Sequence, residues 1–328
     1  MSKSHGGCLV ISLDFEMMWG NLDKWTIDGY GKSNIRNVRL AVDRMLELFN
    51  QYQVHATFAT VGLLMHDNKD EALKSKPQLV PSYSNKRLSP YENKCLESIS
   101  KDNEYLYFAP EVVKKLNEQD GIELATHTYC HFFCWEDGQS IEQFDADIKN
   151  AVEIAEEKGY HLKSIVFPRN NVSQDYLEYC KKYGITAYRG NPKKYYEKKS
   201  GLRRKLMRLG RVLDTYLDMG NITSYSAPDT SGIIANIPAS RMLRPYSKRL
   251  SLFEPLRLRR INKEIQYAAK HNEIYHLWWH PHNFGANMEK NLMILEELLK
   301  CYSECKVKYG MMSLTMNEVY NEYCKDGE

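Results

Sequence analysis

The sequence predicts an α/β fold in which parallel strands are covered by helices. Short apolar runs rich in β-forming residues recur along the 328-residue chain, and they alternate with segments that are apolar at helical spacing. Strands that are buried on both faces have this nearly continuous apolar character. The pattern alone does not decide between an open sheet and a closed barrel. In either case we expect functional residues at the C-terminal ends of the strands.

Each element follows from a local pattern. The strands are predicted, in chain order, at residues 8–14, 54–61, 121–126, 164–168, 185–189 and 274–280. The helices are predicted at residues 33–52, 110–119, 140–158, 173–183, 288–309 and 317–324. Pro110 stands at a first helical position, and Ser140 with Gln143 has the spacing of a capping box.

We interpret residues 1–328 as a single domain with two insertions. Residues 66–107 are polar, contain three prolines and lack a clear period, which indicates an insertion over one end of the fold. Residues 191–263 form the second insertion, and their composition differs from that of the rest of the chain. We find no internal repeat. The composition, with 43% apolar and 27% charged residues, is ordinary for a globular chain.

Basic residues are concentrated in the second insertion. The formal net charge is only +3, but residues 193–211 and 241–263 together hold 17 of the 45 Lys and Arg and 2 of the 42 Asp and Glu. A field this uneven favours an anionic partner. Leucines at helical spacing run through the first basic stretch, from Leu202 to Leu217, and residues 255–270 repeat the pattern with Leu256, Arg257 and Arg260.

Two interpretations of these basic segments stay open. Their leucines could pack on the sheet while the arginines are solvated. Alternatively, they bind a diphosphate, which suits the guanidinium fork, or an anionic membrane surface, which suits a basic amphipathic helix. We expect no nucleic-acid partner, because no known binding motif appears and aromatic residues are not interleaved with the basic runs.

Groups that can bind metals or transfer protons follow four of the predicted strands. Asp14 and Glu16 end the first strand, and residues two apart on an extended chain face the same side. His127 and His131 follow the third strand in the sequence HTYCH, and Arg169 follows the fourth in FPRN. The late strand ends in HPHN, which contributes His280 and His282. The coincidence at four strand ends is the signal, because each pair alone is weak.

The residue types fit hydrolysis assisted by a metal ion. Two neutral imidazoles and one carboxylate make a three-ligand site for a divalent cation and leave a position for water. A second carboxylate can take the proton of the water, a histidine opposite can protonate a departing amine, and an arginine near the base would keep it ionised. The pattern leaves open whether Asp14 or Glu16 is the ligand.

With these motifs in this order, the sequence resembles the polysaccharide deacetylase family, also called the NodB homology domain or carbohydrate esterase family 4. The resemblance rests on SLDFE, the ATF of residues 56–58, HTYCH, FPRN and HLWWH, and it spans about residues 8–285. It implies a distorted (β/α)7 barrel. It also implies the site residues: Asp14 as catalytic base, His280 as catalytic acid, Arg169 as the arginine that orients the base, and His127 and His131 as metal ligands.

The resemblance is not exact. The usual first motif has two adjacent aspartates, but here Phe15 separates Asp14 from Glu16, and we take Glu16 as the third metal ligand. The D-x-E form resembles the branch of the family found in surface-glycan biosynthesis. Asp229 is a candidate acidic partner of the late histidine by position only. Residues beside the motifs are predicted to contact substrate: Asn170, Trp279, His282 and Asn283.

The expected activity is removal of an N-acyl group, acetyl or formyl, from an amino sugar linked to a nucleotide or to a polyprenyl diphosphate. The expected cofactor is a divalent metal ion, zinc first and cobalt or nickel as alternatives. One rival is a glycosidase that uses Asp14 and Glu16 as its carboxylate pair. The other is an inactive relative that binds a glycan or a lipid carrier, which Phe15 in the usual ligand position would favour.

The expected location is the cytoplasm, with contact to the inner membrane surface through the basic insertion. The start of the chain moves directly into a strand without the apolar run of a secretory signal, and no stretch has the length of a transmembrane helix. The eight cysteines are scattered without a matching pair of metal-binding motifs, so we interpret them as free thiols.

Overall fold

The strands form one parallel sheet in the computed structural model, which describes residues 6–192, 215 and 222–324. In the described part of the chain the strands are β1 (Cys8–Phe15), β2 (Ala56–Thr60), β3 (Ile122–Thr126), β4 (Ser164–Ile165), β5 (Ala187–Tyr188), β6 (Ala235–Asn236), β7 (Arg241–Met242), β8 (Ile274–Trp279) and β9 (Met312–Leu314). Their order is β6-β5-β4-β3-β2-β1-β8-β7. β9 pairs with residues 8–10 of β1, below the stretch of residues 12–15 that pairs with β2.

The sheet curls into a half-barrel surrounded by helices. The α-helices of the described residues are α1 (Val38–Tyr52), α2 (Lys69–Lys74), α3 (Cys95–Ser98), α4 (Pro110–Glu118), α5 (Ile141–Glu157), α6 (Gln174–Lys182), α7 (Glu254–His271), α8 (Met288–Tyr309) and α9 (Met316–Tyr323). The curl brings together strands that are not neighbours in the sheet. One result is that Arg189, which follows β5, contacts Asp14 of β1 across the intervening strands β2–β4. The predicted distorted (β/α) barrel is confirmed.

The predicted helix starts hold in part. Pro110 is the first residue of α4, and Ser140 with Gln143 forms the complete capping box of α5. The first helix begins at Val38 rather than near Ser33, because a short 3-10 turn over residues 35–37 precedes it. β4 is shorter than predicted. It ends at Ile165 and is followed by a 3-10 turn that Pro168 opens, since proline cannot donate to a sheet ladder.

Apolar side chains pack on both faces of the sheet. The larger cluster lies between the outer face and the helices and includes Leu13, Phe15 and the whole buried face of α1. The smaller cluster fills the interior at the N-terminal ends of the strands, where Val10 and small residues of β2, β3 and β5 meet Met316 and Val319 of α9. The interior below the C-terminal strand ends is therefore packed with side chains.

The basic insertion departs from its predicted pattern where it is described. The leucine-rich helix from Leu202 to Leu217 lies outside the described residues, apart from position 215. In α7 the interpretation in which the leucines pack and the arginines are solvated is wrong: Arg257 and Arg260 are buried, whereas Leu256 is exposed. The arginines are inside because they have partners there. Arg257 pairs with Glu254 and donates to the Arg244 carbonyl, and Arg260 lies 3.6 Å from Glu264.

Candidate active site

A cavity of about 470 Å³ opens at the C-terminal ends of the strands. Residues from β1, β8 and the turns that follow β3, β4 and β5 line it, as the parallel sheet predicts. The chemically active side chains that line the cavity are Asp14, Glu16, His131, Arg169, Asn170 and His280. Four predicted strand ends therefore converge on one place.

The turn after β3 is built to hold two imidazoles. Thr128 and His131 both have left-handed backbone, with φ of 64° and 62°. Buried Asp147 of α5 accepts hydrogen bonds from the backbone N–H groups of Tyr129, at 2.7 Å, and Cys130, at 3.1 Å. These bonds fix a turn whose backbone departs from ordinary geometry, because the N–H groups would otherwise be buried without acceptors.

His127 and His131 both face the carboxylate of Glu16. Glu16 Oε2 lies 2.9 Å from His131 Nε2 and 3.4 Å from His127 Nε2. His127 Nδ1 lies 2.7 Å from the Val166 carbonyl, which can only accept, so Nδ1 carries the proton and Nε2 presents its lone pair. That Nε2 is buried and has no hydrogen-bond partner among the described residues. A ligating histidine has this arrangement, in which the second ring nitrogen is held by a carbonyl.

Gly20 makes room for the Glu16 carboxylate. Glu16 ends β1 and is followed by a 3-10 helix, Met17–Asn21, that folds back over it. A Cβ atom on Gly20 would lie 2.1 Å from Glu16 Oε1 and 2.2 Å from its carboxyl carbon. A larger residue would displace the carboxylate, so glycine at this position leaves it room beside the histidines.

Three donors that fit a divalent cation therefore meet at one point. The group Glu16, His127 and His131 offers one ligand atom each, and these atoms all lie within 4.8 Å of one another. Two neutral imidazoles with one carboxylate form a donor set typical of zinc and related ions. Asp14, the other carboxylate of the D-x-E pair, has a different set of neighbours.

Asp14 is held by an arginine, but the predicted one is wrong. Arg189, which follows β5, donates to Asp14 Oδ1 at 2.7 Å and to Oδ2 at 2.8 Å. Arg169 instead donates to Glu136 and Asp23 on the rim of the cavity. The left-handed backbone of Arg169, at φ 56°, belongs to the 3-10 turn after β4.

The Arg189 guanidinium is fully buried, and it contacts several side chains besides Asp14. It also donates to Ser12 Oγ and to Asn170 Oδ1, and its plane lies 4.3 Å from the centre of the Trp278 ring. Asn170, predicted to contact substrate, lines the cavity and at the same time holds Arg189. Arg189 was not among the predicted site residues. Its position at the end of the strand predicted at residues 185–189 is the signal that could have indicated it.

His280 stands between the two carboxylates. Its Nε2 lies 3.7 Å from Asp14 Oδ2 and 3.6 Å from Glu16 Oε1, and its ring faces the cavity. Asp229, considered as its acidic partner, is exposed and accepts hydrogen bonds from Ser231. The acidic neighbours of His280 are thus the two residues of the D-x-E pair.

The remaining predicted substrate contacts lie away from the cavity. Trp279 is fully buried between Phe49 and Phe284, so its predicted contact with substrate is wrong. Trp278 lines the cavity instead, because strand pleating turns alternate side chains to opposite faces. Asn283 accepts a hydrogen bond from the Tyr30 hydroxyl and does not line the cavity.

Both carboxylates of the pair stay ionised in the fold. Burial alone would raise the pKa of Asp14, but the charges of Arg189 and His280 together hold the pKa of Asp14 below its usual value. Burial likewise opposes ionisation of Glu16, whereas His280, His127 and His131 hold the pKa of Glu16 well below its usual range. Burial lowers the pKa of His131, which keeps its imidazole neutral and able to ligate.

Comparison with known proteins first places the fold. A protein from Mycobacterium smegmatis designated a candidate polysaccharide deacetylase has a TM-score of 0.61 and 13% identity, with 99% of this chain and 93% of that chain covered. A probable polysaccharide deacetylase from Pseudomonas aeruginosa has a TM-score of 0.58 and 10% identity, with 100% and 94% covered. A branching enzyme of glycoside hydrolase family 57 from Thermococcus kodakaraensis has a TM-score of 0.58 and 13% identity, with 98% and 72% covered.

The sequence comparison adds a family resemblance. Residues 28–188, just under half of the chain, match the family model described as polysaccharide deacetylase, a range that includes His127 and His131 but not Asp14, Glu16 or His280. No curated protein matches the chain. Over that range the chain is therefore similar to the polysaccharide deacetylases, and the fold agrees with this similarity. Among the helices of the described residues, none is both long and apolar enough to cross a membrane.

Proposed function

We propose that the chain is a metal-dependent deacetylase that removes an acetyl or formyl group from the nitrogen of an amino sugar during synthesis of a surface polysaccharide, such as an O-antigen or lipopolysaccharide. The observation that carries the proposal is the convergence of Glu16 Oε2 with the Nε2 atoms of His127 and His131, at 3.4 and 2.9 Å. The buried, unpartnered lone pair of His127 has no evident purpose in a protein that binds no cation.

Glu16, His127 and His131 would hold the cation, with zinc the first candidate and cobalt or nickel the alternatives. When bound, such an ion supplies a Lewis acid that polarises the amide carbonyl and makes a water easier to deprotonate. The Val166 carbonyl orients His127, and Gly20 leaves space for the Glu16 carboxylate. The D-x-E motif thus serves in place of two adjacent aspartates.

Asp14 then has the role of general base. Its carboxylate lines the cavity, is ionised, and is aimed by the two hydrogen bonds from Arg189. His280 lies between Asp14 and the cavity and, once protonated, can donate a proton to the departing amine nitrogen. Base and acid are therefore supplied by different strands, β1 and the end of β8.

The glycosidase rival conflicts with the electrostatics. A glycosidase needs one carboxylic acid with a raised pKa to protonate the leaving oxygen. Here Arg189 and His280 lower the pKa of Asp14, and three neighbouring histidines lower the pKa of Glu16, so neither carboxylate is poised to give up a proton. The fold is shared with glycoside hydrolases, but this pair of side chains favours a base and a ligand.

The charge around the cavity supports a phosphate-linked substrate. Four basic residues line the cavity: Lys24, Arg169, Arg241 and Arg244. Of these, Arg169 pairs with Asp23 and Glu136, and Arg241 pairs with Glu264. Cations facing the same space favour an anionic carrier, so we propose that the amino sugar is attached to a nucleotide or to a polyprenyl diphosphate.

The other proposed anionic partner, a membrane surface, is supported by exposed Leu252, Phe253 and Leu256 beside Lys248 and Arg249. The eight cysteines are all free thiols, as a reducing cytoplasm would keep them.

Metal analysis and amine release test the proposal together. Protein purified, stripped with a chelator and reloaded with zinc should release free amine from an N-acyl amino sugar carried on a nucleotide or polyprenyl diphosphate. His131→Ala should lose both the ion and the activity, whereas exposed His271→Ala should keep both. Release of reducing sugar instead of amine would establish the glycosidase. Substrate binding with neither product nor bound ion would establish the inactive carrier-binding protein.

A further inference from the structure

The Glu16 carboxylate faces two different pairs of histidines with its two oxygens. Oε2 is directed to His127 and His131, as described above. Oε1 lies 3.6 Å from His280 Nε2 and 3.9 Å from His282 Nδ1. We propose that Glu16, His280 and His282 form a second divalent-cation position, and that an ion bound there inhibits the enzyme by taking His280 out of proton transfer.

The donor set of this second position is complete. Each of the three residues offers one ligand atom, and these atoms all lie within 4.8 Å of one another. Two imidazoles and a carboxylate are the same donor set as in the first position, and they suit the same first-row divalent ions. A carboxylate that binds one ion with each oxygen is a common bridge in two-metal sites, in which the ions lie roughly 3.5–4 Å apart.

His282 gives the independent observation. Its ring is buried, and its Nδ1 has no hydrogen-bond partner among the described residues although it points at Glu16. The ring cannot turn away easily, since the aromatic rings of Trp25 and Tyr30 pack against it edge to face at 4.9 and 5.5 Å. His282 does not line the cavity, so contact with substrate does not explain this atom.

The consequence for the reaction follows from the shared residue. His280 is the proposed proton donor, and an imidazole nitrogen that ligates a cation cannot carry a proton at the same atom. This part of the inference rests on the proposed function, whereas the position itself does not. Two cations on one carboxylate repel each other, so the second ion should bind more weakly than the first, by about tenfold or more.

Zinc stoichiometry tests the position without relying on activity. Stripped protein is dialysed against increasing zinc, and the ions bound per chain are counted by mass spectrometry. The wild type should take up two ions in separate steps, His282→Ala only the tighter one, and His271→Ala both. Anomalous scattering at the zinc edge from wild-type crystals grown in excess zinc should show two peaks on opposite sides of Glu16, a readout that needs no variant.

The outcomes separate this inference from the proposed function. A single ion in the wild type, lost in His131→Ala and kept in His282→Ala, overturns the second position and leaves the deacetylase intact. No ion in any protein overturns both. The inference is supported if the wild type binds two ions and its amine release falls as the second ion binds. In His282→Ala, amine release should then stay at that variant's own maximum as zinc rises. A rise in activity with the second ion overturns the inhibitory role.

Discussion

Arg189 donates hydrogen bonds to Asp14 from both terminal nitrogens, at 2.7 and 2.8 Å, although β5 and β1 are separated by three strands in the sheet. The contact exists only because the sheet curls until these strands face each other across the interior. The contact keeps a buried carboxylate ionised beside the cavity, and it connects the end of β5 to the end of β1 through one pair of side chains.

Replacement of this arginine should weaken the base. In Arg189→Met the opposing effect of burial remains while the cation is gone, so the pKa of Asp14 should rise. Amine release should fall by about 10²-fold or more, and the acid limb of its pH profile should move to higher pH. Arg169→Met is a control for the pH profile only: Arg169 lines the cavity but bonds to Glu136 and Asp23, so its removal can weaken substrate binding while the acid limb stays in place. An acid limb that stays in place in Arg189→Met, or that moves equally in both variants, would contradict the assignment.

Addition of one methyl group should disturb the cation site. In Gly20→Ala the new carbon would overlap the Glu16 carboxylate, which must move away from His127 and His131. We expect zinc affinity, measured by competition with a chromophoric chelator, to fall by about 10–100-fold, the range found when a residue that positions a metal ligand is replaced. Gly232→Ala is the control, because its nearest neighbour would be 3.7 Å away. Equal affinities in both variants would show that Glu16 is not a ligand.

The buried carboxylate of α5 should stabilise the fold through the turn that carries the histidines. Asp147→Ala leaves the N–H groups of Tyr129 and Cys130 without acceptors, at a cost of about 1–3 kcal/mol each. Urea unfolding should therefore show a loss of about 2–6 kcal/mol. Glu153→Ala, on the same helix, removes an exposed surface pair with Lys149 and should cost about 1 kcal/mol or less. A similar loss in both variants would exclude this role of Asp147.

Acid should destabilise the fold through a histidine below the site. Burial, and next the charge of Arg189, lower the pKa of His276 from 6.5 to about 3. The unfolded chain binds a proton there below pH 6.5 and the folded chain does not, so stability falls as pH drops, by roughly 1.5–2 kcal/mol from pH 6.5 to about pH 5.

His276→Gln removes this proton from the balance. Its unfolding free energy, measured by urea at each pH, should depend on pH by about one proton fewer than that of the wild type between pH 6 and about pH 4. The variant His271→Gln, at an exposed position, should retain the wild-type slope. Parallel curves for wild type and His276→Gln would mean that His276 is protonated in the fold.

Patterns of period two and the order of motifs predicted much of the site. Asp14 and Glu16 were placed on one side by their spacing alone, and both line the cavity. His127 and His131 were predicted from the HTYCH motif after the third strand, and the structure brings both to Glu16 through a turn formed by nearby residues. The same local reasoning could not distinguish Trp278 from Trp279, because both belong to one apolar run and only the phase of the pleat decides which one faces inward.

By itself, the sequence predicted the alternation of strands and helices, the strand ends that carry chemistry, and the His127–His131 pair, since all of these follow from residues close in the chain. The tertiary structure alone decided that Arg189 rather than Arg169 holds Asp14, that Glu16 meets the histidines, and that His282 lies behind His280. Those relationships depend on how far the sheet curls and how closely its edges approach. Both are set by packing between residues far apart in the chain, which no short stretch of sequence specifies.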